Sequence, residues 1–131
     1  MSILAYCLMS NHVHFIVIPH KEDSLAKAFS VCHMRYAQDQ HRKRNLNGHF
    51  WQERFYSCLL EEDHLLAAIR YVECNPVQAK LVKKAWEWEW SSAAYHTGHK
   101  RINSALKPIE DYTDQDTYSW FQILDSYEVE E

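Results

Sequence analysis

Two histidines separated by one apolar residue, His12-Val13-His14, run straight into the β-branched and aromatic stretch Phe15-Ile16-Val17-Ile18. Along a strand, residues i and i+2 project from one face. His12 and His14 therefore stand side by side, with Val13, Phe15 and Val17 turned the other way. Neutral imidazole is a common ligand of divalent metals, so two of them projecting in parallel from a stiff support make half of a metal site. Taken alone, such a pair is more often two half-buried or surface histidines.

A second pair of interest is Tyr71 and Asn75. They are four residues apart on a predicted helix, hence one turn apart on one face. Arg70 precedes the tyrosine and could neutralise a phosphate. The plainer alternatives are a packed tyrosine and an asparagine that caps the helix before Pro76. Two histidines and an amide oxygen can hold Mg²⁺ or Mn²⁺ with positions left open for phosphate oxygens. A nearby phenol, once deprotonated, could attack a polarised phosphorus. The basic run His41-Arg42-Lys43-Arg44 and the aromatics Tyr36, Phe50 and Trp51 could guide and stack a single strand. A like-charged cluster at a helix end is also simply a solvated terminus that suits the helix dipole.

Several elements must position these groups. Residues 2–9 read as a first strand and 12–18 as a second, joined at the turn-forming pair Ser10-Asn11 and ended by Pro19. Leu25, Ala28, Phe29, Cys32 and Tyr36 recur at helical spacing behind an Asp23-Ser24 cap, predicting a helix from about Ser24 to Arg42. Phe50 to Leu60 reads as a third strand. Glu61-Glu62-Asp63 opens a second helix with a buried stripe of Leu65, Ala68, Ile69 and Val72. Asn75-Pro76 is expected to break it, because the residue before proline is pushed out of the α region. A short helix, 76–83, is expected to follow. Further on, Trp86 to Ser92 alternates aromatic and polar residues, and Tyr118, Trp120, Phe121, Ile123 and Leu124 could form a last short helix.

At 131 residues and 47% hydrophobic content, the chain is expected to form one folded domain. It lacks an apolar run long enough to span a bilayer and a secretory leader, so a soluble, cytoplasmic protein is expected. Cys7, Cys32, Cys58 and Cys74 are too widely spaced for a zinc ribbon and read as reduced thiols, with a reservation for Cys74. Residues 1–106 hold 13 Lys or Arg against 10 Asp or Glu, a balance of +3; residues 107–131 hold 1 against 8, a balance of −7. A mildly basic body with an acidic tail is compatible with nucleic-acid binding.

The run from Ala5 to Val17, containing Ser10-Asn11-His12-Val13-His14, resembles the His-hydrophobic-His (HUH) signature of single-tyrosine bacterial transposases, and within them the REP-associated tyrosine transposase group. The likeness continues through Gly48 to Phe55, Ala68 to Val77 and Trp90-Ser91-Ser92, covering roughly residues 4–98. It implies an α+β, ferredoxin-like HUH endonuclease fold, an antiparallel sheet with helices on one face, in residues 1–98, followed by an acidic tail, 99–131. Members usually have a strand and a long helix ahead of the histidine hairpin. A chain starting at Met1 would lack both, leaving a mis-set start, a decayed copy or pairing with a second copy as a homodimer to be weighed.

The resemblance further implies His12, His14 and Asn75 as ligands of Mg²⁺ or Mn²⁺ and Tyr71 as nucleophile. The implied reaction is cleavage and rejoining of single-stranded DNA beside a hairpin, through a 5′-phosphotyrosine link. Its partner would be palindromic, REP-type DNA in the nucleoid. Arg35, Arg42, Lys43, Arg44, Arg54 and Arg70 are the candidates for phosphate contacts. The competing readings are an inactive remnant that only binds structured DNA and a metal-dependent hydrolase of a small phosphate ester.

Overall fold

In a computed structural model, which describes residues 1–44, 59–102 and 104–130, the N-terminal apolar stretch forms the expected hairpin. Strand β1 (Ser2–Leu8) pairs antiparallel with β2 (Val13–Ile18). The turn closes where the Met9 amide donates to the His12 carbonyl at 2.9 Å, so His12 sits on the turn rather than in the strand. Leu4 is an extra residue in β1, placed between the Ile3↔Val17 and Ala5↔Ile16 pairs. A bulge of this kind resets which face each later residue occupies. It leaves both Leu4 and Ala5 buried and sets Cys7 opposite His14, with Cys7 fully inside.

The other edge of β1 is also covered. The Leu8 amide donates to the Trp90 carbonyl at 2.7 Å, Ser92 to Tyr6 at 3.0 Å, and Lys107 to Ile3 at 2.9 Å. An apolar strand with partners on both edges has no open ladder to protect. Among the described residues the sheet has two strands, and with the helices it makes the chain α+β.

Helix α1 (Val31–Arg44) continues from a π-turn at Ala26–Ser30. The acids at 61–63 lead through a 3₁₀ turn, Glu62–His64, into α2 (Leu65–Gln78), which packs on β1 through Ile69, Val72, Cys74 and Val77. Contrary to expectation, Pro76 neither ends α2 nor starts a new helix; it lies inside α2. Proline removes one N–H and crowds the carbonyl four residues back. Here the carbonyl it crowds is that of Val72, within α2, and the ring itself is fully buried, so burial of the ring in the core offsets the lost bond. The helix stops instead at a Schellman-type cap. The Leu81 amide donates to Pro76 and the Lys80 amide to Val77, each at 2.9 Å, with Lys80 at φ 61°.

Residues 99–131, read from sequence as an acidic tail, contribute to the same core. Leu106, Ile109, Trp120 and Leu124 are buried, the last two on α4 (Thr117–Asp125), after the one-turn α3 (Ala93–His96). The Asp116 carboxylate accepts from the Ser119 amide at 2.8 Å and the Ser119 hydroxyl accepts from the Asp116 amide at 3.0 Å, a reciprocal cap for α4.

The chain divides into two compact units: Ser2–Ile18 with Leu60–Glu131, and Met1 with Pro19–Leu59. In the second, the Met1 amine lies 3.1 Å from His20 Nδ1, and Lys27 pairs with Asp23 at 2.6 Å across one helical turn. The third strand expected over 50–60 falls almost wholly outside the described residues. The described cysteines, Cys7, Cys32 and Cys74, are free thiols. Burial, with Glu73 adding, pushes Cys7 up to about 12; burial, opposed by Arg70 and aided by Glu73, pushes Cys74 up to about 12. Neither is a thiolate at neutral pH, which removes the reservation over Cys74. No described helix is long and apolar enough to cross a membrane.

Candidate active site

His14 lies on the face of β2 that also carries the buried Ile16, and its ring turns toward α2. Its centroid is 4.8 Å from that of His12 and 5.8 Å from that of Tyr71. The two imidazole planes cross at 84°, not in parallel, because His12 belongs to the turn. Burial pushes the His14 pKa down, and His12 beside it adds to the effect, favouring the neutral ring that a metal requires.

The tautomer of His12 is set by its neighbour. Asn11 Oδ1 is an acceptor 2.6 Å from His12 Nδ1, so in the neutral ring Nδ1 carries the proton and Nε2 is the nitrogen left for a metal. The sequence marks Asn11 only as a turn residue; an amide beside a candidate ligand was the available signal for this second role. Tyr71 touches His14 with its ring yet is 64% exposed. Its hydroxyl is thus open to a large substrate. Asn75 follows one turn along α2, half-buried.

Arg70 stands beside Tyr71 with its guanidinium 5.0 Å above the ring of Tyr127, on an exposed part of the helix. Arg35 and Arg42 are exposed on α1, in the other unit. Lys43 and Arg44 close α1, with side chains outside the described set, and Arg54 lies outside the described residues altogether. The structure thus brings His12, His14 and Tyr71 together, with Asn75 and Arg70 on the same helix as the tyrosine.

Behind this site lies a cluster that sequence reading missed. Glu73 is fully buried on α2. Its Oε1 accepts from Trp120 Nε1 at 2.8 Å, and its Oε2 accepts from the Ser92 hydroxyl at 2.5 Å and from His96 Nδ1 at 2.6 Å. His96 Nε2 donates to the Lys107 carbonyl at 2.9 Å. Both ring nitrogens face acceptors, an arrangement that favours an imidazolium paired with the carboxylate. Burial works against that charge, but the hydrogen bond and charge of Glu73, with the Lys107 carbonyl, outweigh it and raise the pKa. Residues Ile69, Val72, Glu73 and Pro76 follow i, i+3, i+4, i+7 spacing. An acid inside an apolar stripe needs partners, and that was the signal available.

The profile of the family described as "Transposase IS200 like" matches residues 1–75, which hold the histidine hairpin, Tyr71 and Asn75. The chain belongs to the IS200-like transposase family. It is also similar to a protein named as a REP-associated tyrosine transposase in Haemophilus influenzae, at 23% identity over 116 residues, 80% of this chain. The chain spans 63% of that relative's length. No solved structure matches the chain significantly.

For an IS200-like transposase the donor set can be weighed chemically. Two neutral imidazoles and an amide oxygen suit a hard or borderline divalent ion and leave coordination positions open. A separate set, Glu61, Asp63 and His64, has side-chain donors within 4.8 Å of one another, but all three are exposed at the start of α2, around a 3₁₀ turn.

Proposed function

We propose that this IS200-like transposase is a single-strand DNA endonuclease and ligase with Tyr71 as nucleophile, on a ferredoxin-like HUH arrangement of the sheet and helices. His12 Nε2, His14 and the Asn75 side-chain oxygen would hold Mg²⁺ or Mn²⁺. When bound, the ion supplies Lewis-acid polarisation of the scissile phosphate. The Tyr71 oxygen bonds to phosphorus as the P–O3′ bond breaks, and the phenolic proton passes, in net terms, to the leaving 3′ oxygen. The products are a 5′-phosphotyrosine and a 3′-hydroxyl. Attack of that hydroxyl on the phosphotyrosine reverses the step, so rejoining needs no nucleotide. The partner would be a palindromic hairpin, its phosphates met by Arg70 and by Arg35, Arg42, Lys43, Arg44 and Arg54.

The observation that carries this reading is the edge contact of His14 with Tyr71, two residues brought from different elements to 5.8 Å while the tyrosine stays open to solvent. The guanidinium carbon of Arg70 lies 5.0 Å from the centroid of the Tyr127 ring, and a guanidinium stacked on a ring keeps its N–H edges for phosphate. The test uses single-stranded hairpin DNA labelled at its 3′ end, with Mn²⁺. The wild-type chain should become covalently labelled, Tyr71→Phe should not, and the hairpin affinity of the two should agree. Mn²⁺ binding should disappear in His12→Ala and His14→Ala. An undiminished adduct in Tyr71→Phe would end the assignment. Hairpin binding without any adduct would make the chain a non-catalytic DNA-binding protein.

A further inference from the structure

We propose that Glu73 is a positioning residue for the nucleophile: its carboxylate, held by Ser92, His96 and Trp120, fixes the rotation of α2 and so sets Tyr71 against His14. This rests on Tyr71 being the nucleophile. Residue 73 is two positions from both Tyr71 and Asn75, so at 100° per residue it projects from the opposite side of the helix. Apolar contacts are non-directional and permit a helix to roll. A roll of about 10° moves a phenolic oxygen standing roughly 9 Å from the axis by about 1.5 Å. Hydrogen bonds are directional, and Glu73 accepts three of them, from Ser92 ahead of α3, His96 at the end of α3 and Trp120 on α4.

The clamp is also tied to the strand that holds the histidine hairpin. Ser92 Oγ, which donates to Glu73, accepts from the Tyr6 amide at 3.0 Å, while the Ser92 amide donates to the Tyr6 carbonyl at 3.0 Å. Tyr6 is next to Cys7, the direct partner of His14. A continuous set of bonds therefore runs from β2 through β1 and Ser92 to Glu73 and α2. Its two ends are the groups that must meet, His14 and Tyr71. This also gives Ser92, in the Trp90-Ser91-Ser92 motif, a specific task.

The test compares Glu73→Leu, Glu73→Gln and Ser92→Ala in the full chain. Four quantities are read: melting temperature, hairpin affinity, single-turnover adduct rate at saturating hairpin, and the nuclear Overhauser signal between the Tyr71 and His14 rings. Because misplacement by an ångström can cost on the order of 10²-fold, Glu73→Leu should lose about that much rate per folded molecule. Its affinity should stay within about twofold, and the signal between the two rings should vanish. Glu73→Gln, which can still accept from Trp120 and pair with a neutral His96, should restore most of the rate. Ser92→Ala keeps the carboxylate and serves if the leucine variant does not fold; it should lose about tenfold in rate, the signature of a transition-state rather than binding defect. Folded Glu73→Leu or Ser92→Ala with wild-type rate and an undiminished Overhauser signal would overturn the proposal. So would a rate that falls only with the folded fraction. If the wild-type chain forms no adduct, the nucleophile assignment fails, and the Overhauser signal alone then decides whether Glu73 positions Tyr71.

Discussion

On one side of α2, Tyr71 is 64% exposed and its ring meets that of His14. On the other side, Glu73 is completely enclosed and accepts from three side chains, among apolar neighbours Ile69, Val72 and Val77. The helix is over-determined at its back and sparsely held at its front. A tyrosine that must admit a polynucleotide cannot itself be packed, so its aim has to come from residues that do not touch the substrate. Substitutions at the front should therefore change the chemistry with little effect on stability, whereas those at the back should change stability and, through the aim of Tyr71, the rate as well.

The strongest way to break this contrast is at Trp120, which is wholly buried on α4 and donates to Glu73. Trp120→Ala removes a large core side chain and leaves one carboxylate oxygen without its donor, so a loss of about 3–5 kcal/mol is expected. Urea unfolding reads it directly. A loss under about 1 kcal/mol would mean that the back of the helix is not its anchor.

His96 gives the same comparison a pH dependence. Its pKa is raised in the folded chain, so the stability it contributes is fully present below its unfolded value, about 6.5, and is lost as pH rises through the folded value. The difference in melting temperature between wild type and His96→Gln should be widest at mildly acidic pH and shrink as the solution becomes alkaline. A gap that stays constant or widens with pH would show that His96 is not a cation in the native state.

A smaller effect is expected at the end of α2. Lys80 adopts φ 61° to close the cap, a conformation that costs an L-residue on the order of 1 kcal/mol and glycine almost nothing. Since glycine also gives up more chain entropy on folding, Lys80→Gly should gain no more than about 0.5–1 kcal/mol. A destabilised Lys80→Gly would show that the lysine side chain contributes more than the backbone costs.

How much of this is legible in the sequence follows from the range of the forces involved. The hairpin and the apolar stripe of α2 show because alternation and 3.6-residue spacing are local consequences of backbone geometry. Tyr71 and Asn75 share a predicted face for the same reason. Pro76 misleads because its local cost is offset by the core that receives its ring, which is not local. By charge the residues after 98 look like a solvated tail. Trp120 and Leu124 are nonetheless core residues, since the acids occupy the exposed positions around them. Glu73 gives little sign of its role because its partners at positions 92, 96 and 120 come from separate segments.

The smallest expected effect is the one that makes the contrast usable. Tyr71→Phe removes a single oxygen from a side chain that is mostly in solvent, while the ring that meets His14 remains. Surface changes of this kind usually alter stability by less than about 0.5 kcal/mol. The variant should therefore unfold at the wild-type urea concentration and keep its ring against His14. With structure and hairpin affinity unchanged, a missing covalent adduct can be attributed to the missing oxygen and to nothing else. A loss above about 1 kcal/mol would instead make the hydroxyl part of the structural framework, and the separation between the two sides of α2 would no longer hold.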